Sequence, residues 1–259
     1  MDDVVRSALE HGILTVTINR AEQRNALNAD VNRGLLAALD RAGSDDEVRV
    51  VVVTGAGDRA FCAGADLGGL RPDAGAAELH RGRALFGDVL QGLRRLPKPV
   101  IARVNGAALA GGFGLALGCD LVVAADHATF GTTEVKVGMW PYMISAVIME
   151  HLGPKRTMDL VLSGRRMDAA EAQDWGLVNT VVPAAELDRA VADCAQHLVG
   201  LSPVVLALGK EAYAVASQLH RDEALPYLAG MLSLHLQTED AVEGITAFLQ
   251  KRAPQWRGR

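Results

Sequence analysis

Cysteine is scarce in this sequence and scattered where it occurs. Cys62, Cys119 and Cys194 are the three in 259 residues, and no CxxC pair brings two of them together. An odd, dispersed set does not build a disulfide framework; it fits a reducing compartment, so reduced, buried thiols and a cytoplasmic protein are expected. The chain opens on the acidic "MDDVVRSALE", which lacks the basic-then-apolar pattern of a signal peptide. No apolar run approaches membrane-spanning length, so no membrane partner is expected. Basic charge is not in excess either. Lys and Arg number 26 against 31 Asp and Glu, a net charge of −5, which argues against nucleic-acid binding while leaving room for a local cationic pocket. His80, His127 and His151 stand singly without metal-ligand spacing, so they read as surface or satisfied polar residues and no metal is expected. Low-complexity segments and internal sequence repeats are also lacking.

What is present is an ordinary globular composition, 49% hydrophobic and 22% charged, enough to bury a sizeable core. The β-branched "ILTVTIN" (13–19) reads as a strand. Helical spacing of Leu35, Leu36 and Leu39 follows, with Asn28 as its N-cap. "VRVVVVTG" (48–55) is a continuous apolar run, the mark of a strand covered on both faces. A helical segment is expected over roughly 77–96, and its front part, the weakly specified "GGLRPDAGAAE", is expected to be a mobile loop. "PVIARVNG", "DLVVAAD" and "ATFG" supply further strands. From Ser145 onward helical patterns dominate, apart from "LVNTVV" (177–182). Thr238 caps a last helix striped by Ala241, Ile245, Phe248 and Leu249.

The densest glycine lies in "AALAGGFGLALGCD" (107–120), at Gly111, Gly112, Gly114 and Gly118. A dinucleotide fingerprint fails there, because Leu117 stands where the third glycine belongs; a P-loop and a GxSxG elbow are also missing. Two readings remain open. The glycines either permit close helix–strand packing, or they expose the unpaired first N–H groups of a helix to a ligand oxygen. "RAFCAGADL" (59–67) repeats the pattern, with a small-residue turn Ala63-Gly64-Ala65 running to Asp66, a capping residue type. Two such turns can each give one N–H to a single oxygen, an oxyanion hole worth several kcal/mol as charge develops.

With "NRAEQRNALN", "AFCAGADL", "NGAALAGGFGLALGCDLVVAA", "FGTTEVKVG" and "EGITAFLQKR" in this order, nearly the whole chain resembles the crotonase family, the enoyl-CoA hydratases and isomerases. The resemblance implies an α/β fold, a spiral of ββα turns over 1–195, with a C-terminal helical trimerisation region over 196–259. It implies a homotrimer or a dimer of trimers and an acyl-CoA substrate, with no cofactor beyond the coenzyme A that the substrate carries. Ala65 and Gly111 match the family's oxyanion-hole donors. Ala26, Ala63, Asp66 and Leu67 match its coenzyme A-lining positions, and Phe248 and Lys251 match a last-helix region that reaches coenzyme A, in some members from a neighbouring subunit.

One departure narrows the chemistry. Typical hydratases carry a glutamate three residues beyond the oxyanion-hole glycine and a second one further on. Here the first position is Gly114 and the second is Glu134. Two carboxylates hold and polarise a water in the usual hydration scheme, whereas moving a double bond needs one base. Family members acting on branched or carboxylated enoyl groups share the Gly-plus-Glu pattern, so hydration of a 2-enoyl-CoA is favoured. A 3-enoyl-CoA to 2-enoyl-CoA isomerase and a non-catalytic acyl-CoA-binding homologue are the alternatives. Thioester hydrolysis, decarboxylation and dehalogenation need further polar groups that the sequence does not reveal. "MWPYM" (139–143), with Trp140, reads as core or as a wall of the acyl pocket, Gly114 as part of that pocket, and Asp120 as a structural cap.

Overall fold

A computed structural model describes residues 3–69 and 75–259; residues 70–74, and with them much of the segment expected to be a mobile loop, lie outside it. Strands β1 (Val5–Glu10) and β2 (Ile13–Ile18) form an antiparallel hairpin. Helix α1 (Ala29–Ser44) starts where expected, the Asn28 side chain accepting from the Val31 N–H at 2.9 Å. Three turns of one pattern follow. Strands β3 (Val50–Gly55) and β4 (Ala60–Cys62) lead to helix α2 (Ala76–Arg95). Strands β5 (Val100–Val104) and β6 (Ala107–Leu109) lead to helix α3 (Gly111–Leu117). Strands β7 (Leu121–Ala125) and β8 (Thr129–Gly131) lead through a 3₁₀ turn, Glu134–Val137, to helix α4 (Tyr142–His151). Helix α5 (Pro154–Ser163), strand β9 (Met167–Asp168), helix α6 (Ala169–Asp174) and strand β10 (Thr180–Val182) come next.

In each turn the first strand joins a large sheet and the second a small one. Their orders are β1-β2-β3-β5-β7-β10 and β4-β6-β8-β9. This is the spiral of ββα turns of the crotonase fold. The continuous valines of β3 have the predicted cause. Val51 and Val53 face the main core with Leu35, Leu39, Leu93 and Phe113, while Val50 and Val52 pack with Ile101 and Val123 beneath helix α7 (Leu187–Val199). Burial on both faces removes the polar alternation of a half-exposed strand.

Helix α7 is continuous across position 195, and Leu198 and Val199 still pack on the sheet. Helices α8 (Pro203–Ala216), α9 (Arg221–His235) and α10 (Glu239–Leu249) follow. Lys210 fastens α8 to the core: its ammonium donates to Asp120 at 2.6 Å, to the Lys98 carbonyl at 3.0 Å and to the Leu93 carbonyl at 3.2 Å. Asp120 also accepts from the Val100 N–H at 2.7 Å, so its carboxylate is structural, joining strand and helix instead of ending a helix. Cys62 and Cys119 are buried, Cys194 is half-buried, and all three are free thiols; burial pushes the Cys62 thiol up to about 12. Among the described residues no single helix is long and apolar enough to cross a membrane.

Candidate active site

Strands β4, β6 and β8 are parallel neighbours, so their carboxyl ends open on the same edge of the small sheet. The segments leaving those ends are Ala63-Gly64-Ala65, Ala110-Gly111 and Thr132-Thr133-Glu134. Ligand sites in parallel sheets form at this edge, because the chain there leaves the ladder with backbone groups unspent.

The first segment is pinned from one side. Leu27 and Ala65 form a parallel bridge, in which the Leu27 N–H donates to the Gly64 carbonyl at 2.7 Å and the Asp66 N–H to the Leu27 carbonyl at 2.8 Å. In such a pairing the N–H of Ala65 itself points away from Leu27. Gly64 is at φ +92, and a Cβ built on it would stand 2.6 Å from the Ala110 Cβ and 3.2 Å from the Gly111 nitrogen. Only glycine fits that conformation and that gap. The two turns are therefore in contact: the glycines permit close packing, and that packing brings the two backbones together.

Ala110 precedes α3 at φ +52, a conformation that costs a non-glycine residue free energy. The Ala110 N–H is tied to the Gly131 carbonyl at 2.8 Å, which links the second segment to the third. Gly111 opens α3, so its N–H has no partner inside the helix. Gly112 is there for packing, since a Cβ on it would lie 2.0 Å from the Cys62 carbonyl oxygen.

Glu134 begins the 3₁₀ turn that leaves β8. Thr132 anchors the chain just before it, its buried hydroxyl donating to the Leu160 carbonyl at 2.9 Å. One carboxylate oxygen of Glu134 is buried and has no hydrogen-bond partner among the described residues. Burial pushes this carboxyl above the ordinary glutamate range, against a partial pull from its own backbone amide. A carboxylate of this kind holds a proton more readily than one in water and exchanges it nearer neutral pH.

The remaining expected residues divide into two groups. Ala26 and Ala63 stand beside the Leu27–Ala65 pairing, the Ala63 N–H donating to the Arg24 carbonyl at 3.0 Å. Asp66 follows it, its carboxylate 2.8 Å from the Arg20 guanidinium, and Leu67, exposed to 42%, starts the next 3₁₀ turn. Phe248 and Lys251 are elsewhere. They lie at the end of α10 and just past it, α10 packs on α8, and Phe248 is 82% exposed. Among the described residues no hydrogen bond or ion pair joins them to the sheet-edge cluster.

Gly114 does not open on empty space. A Cβ there would lie 2.3 Å from Cγ2 of Ile144, so α4 has moved a branched side chain into the room that a larger residue would need. Trp140 lies in the turn before α4, partly exposed, and the Met139 N–H closes that turn onto the Glu134 carbonyl at 3.1 Å. His80 and His127 are exposed, and His151 meets the Leu117 carbonyl at 3.2 Å. A cavity of about 880 Å³ lies between α2, α4 and α8, with Leu90, Leu117 and Met143 on its wall; Glu134, Ala65 and Gly111 do not line it.

Sequence reading gave no role to Arg20, Asn25, Thr132 or Ile144. Arg20 and Asn25 stand inside the quoted "NRAEQRNALN", but Asp66, Ala56 and Ala60, which they also bond, are distant in the chain, and spacing carries no trace of those contacts.

The sequence profile of the enoyl-CoA hydratase/isomerase family matches residues 8–259. Carnitinyl-CoA dehydratase of Salmonella typhi is 38% identical over 256 residues, 95% of each chain, and that of Escherichia coli strain K12 is 39% identical over the same span. Among solved structures, enoyl-CoA hydratase of Bacillus anthracis superposes with a TM-score of 0.93 at 31% identity, covering 99% of this chain and 100% of that one. Enoyl-CoA hydratase of Mycobacterium smegmatis gives 0.94 at 31% identity, covering 98% of each.

Proposed function

The chain belongs to the enoyl-CoA hydratase/isomerase family, and on that premise we propose that it adds water reversibly to a 2-enoyl-CoA thioester. The observation that carries the reading is the buried, unpartnered carboxylate oxygen of Glu134 on the sheet edge from which Ala65 and Gly111 emerge. The N–H groups of Ala65 and Gly111 hold the thioester oxygen as it gains negative charge. Water adds to C3 while Glu134 takes one of its protons; Glu134 then returns a proton to C2 of the enolate. Every atom of the water ends in the 3-hydroxyacyl product, and dehydration is the same path reversed. The relatives' names, hydratase and dehydratase, describe the two directions.

Ala26, Ala63, Asp66 and Leu67 border the path of coenzyme A in this reading. Phe248 and Lys251 reach it from a neighbouring copy, since α10 of the same chain is docked on α8. Coenzyme A travels with the substrate, and the chemistry uses no further cofactor.

Isomerisation of a 3-enoyl-CoA is the second reading, and one observation favours it: Ile144 fills the place beside Gly114 where a second carboxylate would stand. A single base suffices to move a proton between two carbons of a dienolate.

Turnover of a panel of 2-enoyl- and 3-enoyl-CoA thioesters, followed through the conjugated chromophore, separates the readings. Hydration bleaches the chromophore of the 2-enoyl thioester, and isomerisation creates one from the 3-enoyl thioester. Glu134→Gln should bind the thioester and lose roughly a hundred- to ten-thousand-fold in rate. A full rate in that variant would overturn both readings. Gly114→Glu alone should fail, since the new side chain meets Ile144.

A further inference from the structure

We propose that Arg20 is a positioning residue for the reaction, a clasp that fixes the direction of the Ala65 N–H. The inference rests on the reading of Ala65 as an oxyanion donor.

Ala65 holds its orientation through the pairing of two loop segments, 24–27 and 63–66. Neither belongs to a regular sheet, and Leu27↔Ala65 is an isolated bridge. The Ala63 N–H bond to the Arg24 carbonyl at 3.0 Å is the one further backbone tie between the segments among the described residues, and so short a pairing leans on side chains to hold its register.

Arg20 straddles it. One guanidinium nitrogen donates to the Ala26 carbonyl at 2.6 Å, and the other to the Asp66 carboxylate at 2.8 Å. Ala26 and Asp66 are the neighbours of Leu27 and Ala65, one on each arm, so a single planar group spans the bridge. Both side chains are mostly withdrawn from water, at 15% and 19% exposure, which strengthens a charge-assisted pair.

Arg20 is itself held. Its N–H donates to the Asn25 side chain at 3.0 Å, and the amide group of that fully buried side chain donates to the carbonyls of Ala60 at 2.7 Å and Ala56 at 3.0 Å. Ala60 begins β4, so the clasp is anchored to the strand that delivers Ala65. Arg24 and Asn25 pay for this geometry with consecutive positive φ values of 51° and 57°, strain that persists only where the surroundings dictate it.

Lysine cannot replace this group. Its ammonium is a point donor and lacks the fork that meets two acceptors on different segments.

The test compares Arg20→Ala, Arg20→Lys and Asp66→Asn with the unaltered protein. One measurement is kcat and KM on a 2-enoyl-CoA. The other is the infrared carbonyl stretch of a bound saturated acyl-CoA carrying ¹³C at the thioester carbon, which falls as donors polarise the bond.

The unaltered protein should lower the stretch on binding. In Arg20→Ala the stretch should return toward the free value and KM should change little. Its kcat should drop roughly ten- to a hundredfold, less than the loss of an oxyanion donor outright. Arg20→Lys, reaching one acceptor, should fall between, and Asp66→Asn, which keeps the shape and loses the charge, should show a smaller return of the stretch.

Should Arg20→Ala not fold, Arg20→Lys and Asp66→Asn carry the same comparison. A stretch in the folded variants equal to that of the unaltered protein overturns the clasp, whatever the rate does. A bound thioester with no shift in the unaltered protein overturns the donor reading, and the clasp with it.

Discussion

At Glu134 burial sets a cost on the charged carboxylate. Burial without a partner raises its pKa in the folded protein, so the folded state binds the proton more tightly than the unfolded chain does. Its effect on stability is therefore neutral at low pH, and stability is lost as pH rises from the ordinary glutamate value through the raised one. Glu134→Gln removes that loss. The variant should melt at a higher temperature than the unaltered protein at neutral pH, with the gap closing in acid, as scanning calorimetry at several pH values will register. An equal gap at all pH values would mean that the gain comes from something other than the charge. Glu134 stands out in the sequence as a candidate because its motif is local. Its unpartnered oxygen does not, since burial depends on what other segments bring. Gly114 makes the same point: the missing carboxylate could be read directly, but the Ile144 side chain filling its place belongs to a helix that the sequence only outlined.

The elements were legible where their patterns are strong. The valine run of β3, the Asn28 cap of α1 and the glycine-led α3 all follow from residues adjacent in the chain. The two-residue β9 was not foreseen, nor was the strand over "VRSALE", where exposed polar positions hide the alternation. Helix α3 packs closely on β4, and two glycines, Gly112 within α3 and Gly118 just past it, should respond differently to a methyl group. Gly112→Ala drives a Cβ to within 2.0 Å of a backbone oxygen, whereas at Gly118 the nearest contacts are the tips of Leu90 and Leu93 at 3.2 Å. Backbone cannot yield as a leucine rotamer can. Gly112→Ala should cost about 3 kcal/mol or more, or prevent folding, and Gly118→Ala should stay within about 1 kcal/mol. Urea titrations of the two variants make the comparison.

At the scale of the whole molecule, helices α9 and α10 present apolar surface that nothing among the described residues covers. No residue of α9 is buried, and Leu225 and Leu232 are exposed to 60% and 59%. Ile245, Phe248 and Leu249 are exposed on α10. Patches of this kind mark association, and closed symmetric assemblies are its usual form. Light scattering should give a trimer or a dimer of trimers, and Leu232→Glu should shift it towards single chains; a monomer in the unaltered protein would refute the expected assembly. The spiral has a consequence in time as well. Ala65, Gly111 and Glu134 come from successive turns and meet only when β4, β6 and β8 have docked in register. Parallel pairings of this kind close long loops and form slowly, after local helices have appeared. In refolding from urea, catalytic activity should return later than the far-ultraviolet helix signal. On the proposed reading the site proofreads its own chain: a molecule with every helix formed but one turn out of place would offer the thioester oxygen a single donor and stay silent.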